Sequence, residues 1–99
     1  MADPFDDAFH DRVAAHIHMS NAQKKAPGVS ANSVNHSMLF ASARFSAWLA
    51  ATNYPSGEAM AAQRAEIADF FTKGFREMLE GNIDDYIKNF DRFMKTEAP

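Results

Sequence analysis

Ser33-Val34-Asn35-His36-Ser37-Met38-Leu39-Phe40-Ala41-Ser42-Ala43-Arg44-Phe45-Ser46-Ala47-Trp48-Leu49-Ala50-Ala51-Thr52 is the stretch that decides the fold class. Val34, Met38, Ala41, Phe45, Trp48 and Leu49 fall on one side of a helix, and Phe40, Ala43, Ala47 and Ala51 occupy much of the rest. The period is that of an α-helix, and almost no polar face is left over. Between Ser30 and Pro55 the only formally charged residue is Arg44, whereas every neighbouring segment carries charges of both signs. Such a helix is expected at the centre of a bundle, touched on more than one side, with its Ala and Ser residues letting neighbouring backbones come close.

Working outward, Ala26-Pro27-Gly28 and Asn53-Tyr54-Pro55-Ser56-Gly57 punctuate the chain strongly, and Gly81-Asn82 punctuates it more softly. Four helical segments result. The first is expected to begin with Asp3 as N-cap and Pro4 at the first helical position. It carries Phe5, Phe9, Val13 and Ile17 at a spacing of four and stops near Lys25. The third, Glu58 to Glu80, places Met60, Ile67, Phe71, Phe75, Met78 and Leu79 in one stripe, and Gly81 is expected to cap its end. Asn82 is then expected to cap a fourth helix, with Asp84 and Asp85 in its first turn. No stretch alternates as a strand does. The expectation is one all-α domain over residues 1–99, a bundle of four segments with a frayed tail at 95–99 and short, antiparallel connections.

Composition bounds the chemistry. The chain has 99 residues, nine Phe, one Trp, two Tyr and no Cys. That is enough apolar bulk for one ordinary core, and it leaves no disulfide, thiolate ligand or thiol nucleophile. The acidic start, Met1-Ala2-Asp3-Pro4-Phe5-Asp6-Asp7, is unlike a secretory signal, so a cytoplasmic protein is the expectation. No uncharged run approaches the ~20 apolar residues of a membrane span. A net charge of -3 gives no general pull toward nucleic acid or anionic lipid, and Lys and Arg are scattered singly apart from Lys24-Lys25. Neither nucleic acid nor a membrane is expected as a partner.

Arg44 is the residue to single out, because a guanidinium in an uncharged, interior helix must meet an anion. The structural explanation is an ion pair with Asp84, Asp85 or Asp91; the functional one is an anionic ligand held beside Trp48. His16 and His18 are two apart and so turned about 200° from each other, and Asp6 with His10 makes only a two-ligand site, so no metal is expected. Asp84, Asp85 and Asp91 could be acid and base groups, but helix capping already accounts for the first two. No phosphate loop, nucleophile elbow or nucleotide fingerprint occurs, and no catalytic residue or cofactor is assigned.

Three stretches also resemble a family of small bacterial proteins known only as a conserved domain of unknown function. They are Ile17-His18-Met19-Ser20-Asn21, Ala43-Arg44-Phe45-Ser46-Ala47-Trp48, and Met78 to Asp91 with its Asn82-Ile83-Asp84-Asp85-Tyr86-Ile87-Lys88-Asn89-Phe90-Asp91 motif. The family pattern more often has Asn where Ser46 stands and a charged residue where Gly81 stands. The resemblance implies a bacterial, cytoplasmic, helical protein and brings no activity or cofactor with it. The leading expectation is therefore a non-enzymatic interaction module, a homo-oligomer or the small partner of another cytosolic protein. The rival is a small-molecule or anion-binding protein using Arg44 and Trp48, with Asn21 or His18 nearby. An enzyme stands third.

Overall fold

The computed structural model describes residues 4–96 and 98–99, and every regular element among them is helical. The order is α1 (Phe9–Lys24), α2 (Ala31–Ala51), α3 (Gly57–Ala61), α4 (Arg64–Lys88) and α5 (Phe90–Phe93). The chain is thus all-α, as its apolar periodicity predicts. Its contacts divide it into two units, one ending at Ala41 and the other beginning at Ser42. The division falls within α2, so the nearly uncharged helix contributes its first half to one unit and its second half to the other.

The first unit is a helical hairpin. The expected cap at Asp3 lies outside the described residues; the helix starts at Phe9, later than Pro4. Asp6 organises that start. Its carboxylate accepts from the Ala8 N–H at 3.2 Å and from Arg12 at 2.7 Å, neutralising one orphan donor of the first turn. After Lys25, Pro27-Gly28 reverses the chain, and Gly28 takes φ of 78°, a left-handed conformation that a side chain resists. Ser30 then accepts from the Ser33 N–H at 3.0 Å, an N-cap that starts α2 at Ala31, two residues before the expected Ser33. Across the hairpin, α1 turns Ile17, Ser20, Asn21 and Lys24 inward as a half-buried stripe, and α2 supplies buried Val34 and half-buried Met38. The Ser20 hydroxyl lies 3.1 Å from both the His16 carbonyl and the Met38 sulfur, which ties the two helices together.

The second unit departs from the predicted boundaries at two points. Ser56 caps α3, accepting from the Ala59 N–H at 3.1 Å, but the helix breaks at Ala62 and Gln63 before α4 begins at Arg64. Ala and Gln are good helix formers, so residue propensity does not forecast this break. Conversely, the break expected at Gly81-Asn82 does not occur. A glycine C-cap needs a positive φ, and Gly28 is the only described residue that has one. Asn82 does not cap a new helix: its side-chain amide donates to the Met78 carbonyl one turn back at 2.8 Å, and α4 continues to Lys88. Asp84 and Asp85 therefore sit near the negative C-terminal end of a 25-residue helix, not in the first turn of another. The actual end is made by Asn89, whose amide donates to the Asp85 carboxylate at 2.9 Å. Beyond it α5 folds back locally, with the Tyr86 and Phe93 rings 5.0 Å apart and the Arg92 guanidinium 4.9 Å from the Phe93 ring centre.

Among the described residues, only Val34 at 6% and Ala50 at 8% exposure are buried hydrophobics. The apolar stripes predicted for α1 and α4 exist as stripes, but neither helix has a buried residue.

Candidate functional site

The second half of α2 presents two different faces. Ser46 is half-buried and Ala50 buried, one turn apart on the covered side. Arg44 and Trp48 are also one turn apart, but two positions out of phase with Ser46 and Ala50, which turns them about 200° away. Small residues occupy the covered side and large ones the open side. Trp48 is 59% exposed and Phe45 66% exposed, their ring centres 5.4 Å apart. Together with Leu49 at 48% they form an apolar patch on the open face, with the exposed Arg44 one turn before Trp48.

The expected internal ion pair of Arg44 is not formed. Arg44 is exposed, and the ion pairs among the described residues are Arg12 with Asp6 at 2.7 Å and Arg76 with Glu80 at 3.5 Å. Asp84, Asp85 and Asp91 are exposed too, and none of them reaches Arg44. The reason is the premise: an uncharged helix was read as interior, where a charge must be paired, but on an open face water solvates the guanidinium. Asp85 has a local use instead, since its carboxylate and carbonyl both receive the Asn89 side-chain amide, at 2.9 and 3.2 Å.

The His residues are dispersed on exposed positions, with the His10 ring edge-on to Phe9 at 5.3 Å. Among the described residues no group of three or more His, Asp and Glu is placed to hold a metal ion. No described helix is long and apolar enough to cross a membrane. Neither Asn21 nor His18 is brought to Trp48 by any hydrogen bond or ion pair; Asn21 is half-buried on the inward stripe of α1 and His18 is exposed. The motif Ile17-His18-Met19-Ser20-Asn21 thus supplies Ile17, Ser20 and Asn21 to hairpin packing, and Asn82 and Asn89 of the last motif support the end of α4.

Sequence reasoning missed the exposure of Phe45, Leu49 and the α4 stripe. No signal could have found it, because an apolar stripe at helical spacing has the same pattern whether its own chain or another covers it.

The sequence matches no curated protein. A solved structure is similar over nearly the entire length: the NMR structure of the protein NB7890A from Shewanella sp, 31% identical, with a TM-score of 0.76 over 97% of this chain and 100% of that one. Residues 9–87 match the profile of a family described as a protein of unknown function, DUF3144. That match takes in all of α1, α2 and α3 and all but the last residue of α4. The chain belongs to this family of helical proteins, DUF3144.

Proposed function

We propose that this chain is a non-enzymatic interaction module of the bacterial cytoplasm, and that it works by offering exposed helical faces to another protein chain. The carrying observation is the open face of α2, where Trp48 is 59% and Phe45 66% exposed, with Arg44 one turn away. Trp and Arg are enriched among the few residues that dominate binding energy at protein interfaces, and aromatic residues generally are enriched there. Leaving such side chains in water forgoes roughly 1.5–3 kcal/mol for each that could be fully buried. A partner that covers them recovers this. Nothing comparable supports catalysis: the carboxylates are exposed and dispersed, and Asp85 is engaged by Asn89.

The test is photocrosslinking in a bacterial host, with a photoreactive amino acid at position 48 in one variant and at exposed Glu58 in another. A discrete adduct, with this chain or with another protein, is expected from position 48 and not from 58. Equal yields from both positions, or none from either, would overturn the proposal.

A second reading has one observation in its favour. Arg44 carries no carboxylate partner and stands one turn from Trp48, so an anion bound there would be sensed by the indole. Inorganic phosphate should then change Trp48 fluorescence saturably, and Arg44→Met should abolish the change. A single exposed guanidinium without a second donor argues for no saturation.

A further inference from the structure

Along α4 and into α5, Phe75, Leu79, Ile83, Ile87, Phe90 and Met94 recur at intervals of four or three residues. This keeps them near one side of the helix, as a stripe that drifts slowly around it. Every one of them is exposed, from 44% at Leu79 to 71% at Ile87. The only buried hydrophobic residue in this unit is Ala50. One alanine cannot offset the ordering of some fifty residues, which costs on the order of 1–2 kcal/mol each for the backbone alone. The unit therefore requires a cover.

From the structure we infer that the cover is a second copy of this chain, seated on the Phe75-Leu79-Ile83-Ile87 stripe. This inference rests on the reading of the chain as an interaction module and names its partner. Area is the deciding quantity. Eleven large apolar side chains between Phe45 and Met94 are exposed, each to about half. At ~200 Å² per large side chain they offer on the order of 1,000 Å². The largest apolar patches on monomers are typically ~300–600 Å², while a stable dimer needs about 800 Å² from each partner. The polar helix α1 cannot match that area, since its exposed large apolar side chains are Val13 and Met19 alone. An identical copy matches it by construction, because two copies of one stripe bury each other about a two-fold axis. With a net charge of -3, long-range repulsion between copies is small.

The full chain lacks Cys, so a single introduced cysteine is a unique probe. Light scattering at micromolar concentration should give twice the 11.0 kDa chain mass. Ile83→Lys should return it to one chain mass while the helical circular dichroism persists. Should that variant unfold, single-cysteine variants decide: under mild oxidation at least one of Phe75→Cys, Leu79→Cys, Ile83→Cys and Ile87→Cys should form covalent dimers, and Glu77→Cys, on the other side of α4, should not. A dimer that crosslinks equally from position 77 would overturn the assigned face. A monomeric wild type would overturn the second copy as occupant, and hydrogen exchange then separates the two claims. A monomer with fast exchange along 75–87 leaves the interaction module standing with a different partner, whereas slow exchange there would mean the chain covers itself, and both would fall.

Discussion

Replacing Gly81 by alanine puts two accounts of the last forty residues in direct opposition. Were Gly81 a left-handed C-cap, as its place after Leu79-Glu80 suggests, a Cβ there would cost roughly 1–2 kcal/mol. In the structure Gly81 lies inside α4, seven residues before its end, without a positive φ, and a Cβ built on it meets no atom within 4 Å. The substitution then removes only the entropic penalty of an interior helical glycine, so Gly81→Ala should stabilise the protein by about 0.8–1.0 kcal/mol. For a domain of this size that raises the thermal midpoint by about 4–8 °C per kcal/mol. Gly81 is two positions from Leu79 and hence about 200° around the helix from the apolar stripe, so self-association should be unaffected. The assay is thermal unfolding followed by circular dichroism at 222 nm, with both proteins at one concentration because association makes the midpoint concentration-dependent. A midpoint that falls would refute a continuous α4 and restore the break at Gly81.

The remaining predictions concern the hairpin and Arg44. At Gly28 a Cβ also meets nothing within 4 Å, so the φ of 78° alone opposes a side chain. Gly28→Ala should lower stability by about 1–2 kcal/mol and Gly28→Asn by clearly less, because Asn tolerates left-handed geometry; equal losses in urea titrations would show that conformation is not the cause. Arg44→Met should change the unfolding free energy by no more than about 0.5 kcal/mol, as expected for an exposed, unpaired side chain. A loss of about 3 kcal/mol or more would mean that a buried carboxylate had been left alone.

Much of the fold is legible without coordinates. Pro27-Gly28 and Pro55-Ser56-Gly57 mark real chain reversals because Gly28 must take a left-handed φ and Ser56 caps the next helix through its own side chain. Gly81-Asn82 misleads, since both residues have a second use inside a helix: glycine accepts helical φ at a modest cost, and asparagine can donate to the carbonyl one turn back. The break at Ala62-Gln63 carries no local signal at all.

What the sequence by itself determined is the set of helices and the sides of them that are apolar, because both follow from local spacing and from backbone preferences of single residues. Which apolar sides meet within the chain was decided only by tertiary structure. Ile17 and Val34 come to lie inward in a hairpin, while Phe45, Trp48, Leu79 and Ile83 stay open, although all six belong to stripes of the same period. Arg44 shows the consequence most plainly: its uncharged surroundings specify an apolar helix, but whether a charge there is buried and paired or hydrated depends on what lies across from it, and that is not a property of the helix's own residues.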